Sequence, residues 1–443
     1  MKKALTVFGL LSAFLALVSA PSCDSKKNEP VVPKYDTTIV TRYDTIIHDT
    51  IRIDTVGCDT VIRDTTIDLD NDNVVCAYVA YYRDATMPNP NFLTHAIYSC
   101  AELFMGDDHV YQRIGLHENK FKAFCDMKTK NPDLKLMVSV AHVCDLPGNK
   151  QNGSFSMLSK DPAQRKHFAD DCVKLCEDYN LDGIDINWEL PGISESGAAC
   201  DSMVDSDNFL LLMHDLRVAL GPNRMLTYAG HTRPKEKYGN GWRFMDNTAA
   251  AKDVNWVNVM CYGMDNPPKP QNAVYATEAM TCCNLVWQRY SASKFPMDQF
   301  VMGIPFYTHQ PADGPVKGEW YYKDIMAVTK NYPNQYRINR KFENTWHVPY
   351  VERKVNGSWV MYGSFDDPQS IAYKGQWALK KGMKGIMWWE NNGDDANDTL
   401  QKAVWKAMKT ETITDTTFNI VTDSIPVKDT IIIIYQDTII QKK

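Results

Sequence analysis

The sequence predicts an α/β fold: a (β/α)8 TIM barrel with a small α+β insertion after strand 7, flanked by β-rich Asp-Thr repeat segments. Three observations carry that expectation. Eight short, apolar, β-rich runs occur between Val74 and Trp389. Amphipathic stretches such as Pro162–Tyr179 and Ser206–Leu220 separate several of them, and alternating strand and helix points to a parallel sheet. Eight such units fit a closed barrel, and 443 residues hold one large barrel with appendages. Hydrophobic residues, at 44%, suffice for a large core. A net charge of −6 excludes a generally basic nucleic-acid binder and offers no polybasic membrane patch.

In chain order, residues 1–22 read as a secretory signal peptide. Lys2 and Lys3 give the positive start, and an apolar run extends from Ala4 to Ala20. No later run approaches the ~20 apolar residues that span a bilayer. Ala20-Pro21-Ser22-Cys23 resembles a relaxed bacterial lipobox, which makes Cys23 the expected lipidated N-terminus. Ordinary cleavage near Ala20, with Cys23 left free, is the alternative. On the lipidated reading residues 23–70 are a lipid-anchored tether, and the membrane is a partner through that anchor only. The location would be the bacterial cell envelope, as an outer-membrane or surface lipoprotein. None of the 12 cysteines has zinc-site spacing, no metal-ligand set is evident and no phosphate-binding loop appears; no metal and no cofactor is expected. Most read as small buried apolar residues.

A short phrase recurs through residues 35–70, as in Tyr43-Asp44-Thr45-Ile46-Ile47, Asp49-Thr50-Ile51 and Asp59-Thr60-Val61-Ile62. It returns in the 409–443 tail, in Asp415-Thr416, Asp429-Thr430-Ile431-Ile432 and Asp437-Thr438-Ile439-Ile440. Thr, Ile and Val favour extended chain. Ile431 to Tyr435 would be an aggregation hazard if left unpaired. The two repeat segments are therefore expected to pair with each other or to lie against the main domain, as a stalk. An unstructured spacer is the alternative.

The barrel is expected over residues 71–408. Its eight runs are Val74–Tyr82, His95–Cys100, Leu134–Ala141, Gly183–Glu189, Met225–Ala229, Trp256–Tyr262, Phe300–Phe306 and Lys384–Trp389. Between the seventh run and its helix lies an excess, about 308–364, with strand-like pieces of its own. This is the expected inserted lobe.

The fourth run carries the strongest chemical signal: Leu181-Asp182-Gly183-Ile184-Asp185-Ile186-Asn187-Trp188-Glu189. Strand side chains alternate, so Asp185, Asn187 and Glu189 share one face while Ile184, Ile186 and Trp188 share the other. If the polar face is the interior, the series climbs to the C-terminal rim, where barrel enzymes react. Burying such groups costs several kcal/mol unless they are hydrogen-bonded.

This run resembles the strand-four pattern of glycoside hydrolase family 18, the chitinase-like hydrolases, Asp-Gly-x-Asp-x-Asp-x-Glu. The resemblance extends over most of residues 74–408. Lys135-Leu136-Met137-Val138-Ser139-Val140 is similar to the family's third strand, with Ala141-His142 in place of its Gly-Gly. Met260-Cys261-Tyr262 resembles the sixth-strand Met-x-Tyr, and Met302-Gly303-Ile304-Pro305-Phe306-Tyr307 the seventh strand. Phe365-Asp366-Asp367-Pro368 resembles the segment closing the inserted lobe, and Gly385-Ile386-Met387-Trp388-Trp389-Glu390 the eighth strand.

The resemblance implies retaining hydrolysis without a protein nucleophile. The substrate's 2-acetamido oxygen attacks the anomeric carbon, the substrate-assisted exception among glycosidases. Glu189 would protonate the leaving oxygen and then activate water, which asks for a carboxyl with a pKa raised toward neutrality. Tyr262 would hold the acetamido oxygen, Trp389 would floor the sugar at the cleavage site, and Asp185 would act through hydrogen bonds within the polar series. Asp182 and Met260 would complete the sugar contacts. The implied partner is an N-acetylglucosamine-containing glycan, either chitin oligosaccharides or the chitobiose core of N-glycans.

Two residues depart from the family pattern. Asn187 stands where it has its third Asp, and Gly263 where Met-x-Tyr is followed by Asp. An Asn accepts a hydrogen bond but supplies no charge, a loss on the order of 10²–10³ in rate. Endo-β-N-acetylglucosaminidases of family 85 resemble this scheme and use an Asn-x-Glu pair productively. Asp265, two residues beyond Gly263, is the candidate to compensate. A weakened, glycan-binding surface protein on the same fold is the alternative to an enzyme, and fold alone does not decide between them.

Overall fold

The computed structural model describes residues 48–55, 59–69, 71–82, 86–118, 120–142, 144–150, 154–194, 199–419 and 432–435. The expected signal peptide, Cys23 and the outermost repeat copies lie outside the described residues.

Eight parallel strands close a barrel: β1 Val74–Ala80, β2 His95–Met105, β3 Lys135–Ala141, β4 Gly183–Asn187, β5 Met225–Gly230, β6 Trp256–Val259, β7 Phe300–Pro305 and β8 Gly385–Trp389. Each pairs with its neighbours in sequence order. The ring shuts where β8 pairs with β1 (Gly385↔Val74) and β1 with β2 (Cys76↔His95). The strands are nearly continuous apolar runs because both of their faces are covered. On the outer face of β4, Ile184 and Ile186 are fully buried. Just beyond it the Trp188 ring stacks on Phe155, centroids 5.5 Å apart. Gly183 lets β4 lie close to β5, since a Cβ there would come within 2.3 Å of the Met225 carbonyl oxygen.

The helices start where the sequence caps them. α1, Pro162–Tyr179, follows Asp161, whose carboxylate accepts the Ala163 N–H at 2.8 Å, and Pro162 fills the first position, which needs no donor. α2 spans Asp205–Leu220 and α3 Cys283–Ala292. α4, Pro368–Lys380, has Asp367 and Ser370 capping each other. α5 spans Thr399–Lys409.

The second run is longer than its sequence pattern shows. β2 continues to Met105 and turns back as an antiparallel strand, Tyr111–Gly115. The apolar signal of Ala101, Leu103 and Met105 is interrupted by Glu102, a buried carboxylate whose partners lie far along the chain. The fourth strand is shorter than expected and ends at Asn187, with Glu189 on the rim beyond it.

After β7 a lobe of helix Tyr322–Asn331 and antiparallel strands Tyr336–Asn339, Tyr350–Val355 and Ser358–Ser364 packs around Trp320, Tyr336 and Tyr362. Its exit is fastened by a fully buried ion pair, Lys374 to Asp366 at 2.6 Å. Asp366 also accepts from Asn272 (2.9 Å) and Ser370 (2.7 Å). The two repeat segments are hydrogen-bonded neighbours. Strand His48–Thr55 pairs with Asp59–Asp68, which pairs antiparallel with Thr410–Asn419, which in turn pairs with Ile432–Tyr435. Among the described cysteines none is bonded to another, and Cys76, Cys100, Cys172, Cys176, Cys261, Cys282 and Cys283 are buried.

Candidate active site

A cavity of about 400 Å³ opens at the C-terminal rim of the barrel. Its floor is the top layer of the barrel interior, where Met260, Tyr262 and Trp389 pack against Tyr78, Ile97 and Met387. The period-2 alternation of β4 sets the depth of each polar group. Asp185 is fully buried one layer down, Asn187 reaches the cavity wall, and Glu189 stands at the rim.

Asp185 is held by four donors from four strands, β5, β3, β1 and β6 in turn: Thr227 Oγ1 at 2.6 Å, Ser139 Oγ at 2.8 Å, Tyr78 hydroxyl at 3.1 Å and Asn258 Nδ2 at 3.2 Å. Burial raises its pKa, and the hydrogen bonds from Thr227, Ser139, Tyr78 and Asn258 pull the other way without cancelling it. Asn258 also donates to the Tyr78 hydroxyl at 3.0 Å, so a continuous polar network underlies the cavity. Among the described residues, no hydrogen-bond partner meets the buried Oδ1 of Asn187. A buried amide oxygen left without a donor is costly, and a ligand N–H or O–H would satisfy it.

Tyr262 faces this group from β6's end, its ring 6.2 Å from that of Tyr307. Burial pushes its hydroxyl pKa well up, with Tyr307 and the Glu189 charge adding to the rise, so it remains a neutral donor. Trp389, partly exposed, packs 5.6 Å from Tyr78 and offers an indole to the cavity. Cys100 is the thiol that lines the cavity. Burial pushes it up to about 12, so it stays protonated and is no nucleophile at neutral pH.

The structure thus brings together Glu189, Asn187, Tyr262, Met260 and Trp389, with Asp185 directly beneath. Asp182 does not join them. It precedes β4 at the opposite end of the barrel, where it pairs with Lys128 at 2.7 Å and accepts the Leu136 N–H at 2.8 Å. Its number has the opposite parity to Asp185, and it belongs to the strand's entry. Asp265 accepts the Thr281 N–H at 2.8 Å and is not among the lining residues. Gly263 adopts φ +62°, and a Cβ there would sit 3.3 Å from the His309 ring. The cavity therefore has no carboxylate from this loop.

Sequence reasoning did not single out Tyr78, Tyr81, Tyr82, Asp145 or Tyr307. Tyr81 and Tyr307 sit just beyond strand ends, a position that marks site residues in barrels, whereas Tyr78 lies within β1. Trp320 and Trp346 are buried packing residues of the lobe, and Lys237 covers Trp242 at 4.0 Å. His231 is a structural residue: it stacks on Phe244, and burial, aided by Arg233, pushes it down to about 4. Among the described residues no group of His, Cys, Asp and Glu side chains could hold a metal, and no helix is long and apolar enough to cross a membrane.

A family model described as Glycosyl hydrolases family 18 matches residues 73–394. Chitinase A1 of Niallia circulans is 27% identical over 315 residues, covering 62% of this chain and 42% of the relative. Chitinase 63 of Streptomyces plicatus is 26% identical over 317 residues, covering 65% and 48%. The chain spans about half the length of the curated relatives it matches. Among solved structures, a chitinase from Rhizomucor miehei superposes with a TM-score of 0.61 at 22% identity, covering 75% of this chain and 99% of that one. A family 18 N-acetylglucosaminidase from Paenibacillus barengoltzii gives 0.60 at 23%, covering 76% and 100%. These structures share the fold.

Proposed function

The chain belongs to glycosyl hydrolases family 18, and from that premise we propose that it hydrolyses β-1,4-linked N-acetylglucosamine by substrate-assisted, retaining catalysis. One observation carries the reading: Glu189, the open Oδ1 of Asn187 and the neutral hydroxyl of Tyr262 converge on one cavity above Trp389. The sugar packs on the Trp389 indole, which suits its C–H face. Tyr262 donates to the acetamido oxygen and Asn187 accepts the acetamido N–H, which aims that oxygen at the anomeric carbon. Glu189 gives its proton to the leaving oxygen and later takes one from water. The acetamido oxygen bonds to the anomeric carbon as the glycosidic C–O bond breaks, and water then displaces it, so one water is consumed per linkage cut. The named chitinases among the relatives favour chitin oligosaccharides over an N-glycan core.

The test uses a soluble form starting after Cys23, incubated with chitin oligosaccharides and separately with an N-glycosylated peptide. Products are read by mass spectrometry beside Glu189→Gln. Cleavage by wild type that is lost in the variant supports the reading and names the substrate. A second reading, a glycan-binding protein, is favoured by the side-chain-free Gly263 and the uncharged Asn187. Saturable binding without turnover would select it.

We also propose export and lipid anchoring at the bacterial cell surface through Cys23. The support is the positive start, the apolar run and the Cys that follows it. Cys23→Ser should abolish incorporation of a fatty-acid label and release the protein from membranes. Unchanged labelling would contradict this.

A further inference from the structure

The wall of the cavity between β1 and the loop after β3 holds a cluster of hydrogen-bonded side chains that the proposed chemistry does not use. Tyr81 follows β1 and Asp145 lies in the loop after β3, and both line the cavity. The Tyr81 hydroxyl donates to Asp145 Oδ2, and no partner is found for Oδ1 among the described residues. Behind them stands Glu102, fully buried on the extended part of β2. It accepts the Asp145 N–H at 2.7 Å, the Leu146 N–H at 3.0 Å and Asn149 Nδ2 at 2.8 Å. His117 Nε2 lies 2.7 Å from it, and the His117 ring stacks on Tyr81, centroids 3.8 Å apart. Both members of the wall are thus clamped from one buried carboxylate.

We infer that Asp145 and Tyr81 form a sugar-hydroxyl-binding pair. Asp145 Oδ1 accepts a hydroxyl of the bound oligosaccharide, and Glu102 and His117 are positioning residues that hold the pair in register. An exposed carboxylate is a poor hydrogen-bond partner when it must be ordered on binding. One whose backbone is fixed beforehand binds without that entropy cost. A carboxylate beside aromatic faces suits a neutral, hydroxyl-rich ligand, because it accepts from O–H groups while rings cover C–H faces. The inference rests on the cavity being a carbohydrate site.

The test compares wild type with Asp145→Ala, Asp145→Asn and Tyr81→Phe on N-acetylglucosamine oligomers of two to six units. The readouts are kcat, KM and melting temperature. Asp145 is exposed, so its replacement is expected to leave the melting temperature unchanged. KM should rise on the order of tenfold for Asp145→Ala, as expected for one charge-assisted hydrogen bond, with kcat within threefold. Asp145→Asn and Tyr81→Phe should fall between. Glu102→Gln should raise KM in the same direction, and adding Asp145→Ala to it should cause no further rise. Variants that match wild type in KM, or that lose kcat alone, would overturn this pair while leaving the hydrolase reading intact. A wild type that neither cleaves nor binds the oligomers would overturn both.

Discussion

Asn187 has a polar oxygen where the family pattern carries a charge, and the consequence belongs to its neighbour at the rim. A new carboxylate at 187 would oppose ionisation of Glu189. Asn187→Asp is therefore expected to move the basic limb of the pH–rate profile upward, read from kcat/KM between pH 5 and 9. An unmoved limb at unchanged rate would contradict Asn187 facing the substrate. The alternation of β4 made Asp185, Asn187 and Glu189 legible, because period 2 fixes a strand's face without any tertiary information. Tyr262 and Trp389 were legible through short phrases at strand ends. Tyr78 was hidden inside a continuous apolar run, where a tyrosine reads as core. Asp145 was hidden because its loop is aimed by groups distant in sequence, the buried Glu102 on another strand and the Tyr81 hydroxyl. Asp182 was drawn into the site by its place in the motif, although its parity and its lysine partners hold it at the far end.

At the scale of elements, the lobe's attachment is the sharpest test of how the barrel carries an insertion. Lys374 in α4 and Asp366 before it are both fully buried, and Asn272 and Ser370 complete the carboxylate's hydrogen bonds. Removing one member leaves an uncompensated buried charge. Lys374→Met should lower the unfolding free energy by about 3–5 kcal/mol in urea titrations. A loss under about 1 kcal/mol would mean the carboxylate is relieved by other groups. Strand and helix positions were readable because apolar period and capping residues are local. The extension of β2 was not, since Glu102 breaks the apolar run for a contact more than forty residues away.

For the whole molecule, the repeat segments give the two ends of the domain one shared sheet. Strand Asp59–Asp68 leads toward β1, and strand Thr410–Asn419 continues directly from α5, so their pairing ties the first barrel strand to the last helix. Repetition and β-branched content made extended chain readable, but identical phrases do not specify register. Hydrogen exchange on the full chain should show protected amides in 59–68 and 410–419. Exchange there as fast as in free peptide would contradict the paired sheet.

The central claim is that the substrate's own acetamido group, oriented by Tyr262 and Asn187 and aided by Glu189, does the work of a nucleophile. The most direct measurement follows the anomeric protons of the first products by NMR, before mutarotation, for chitin oligosaccharides and for an analogue deacetylated at the cleavage-site sugar. β-Anomers should appear first, and the deacetylated analogue should remain uncleaved. Initial α-anomers, or hydrolysis of the sugar that lacks the acetamido group, would contradict the claim.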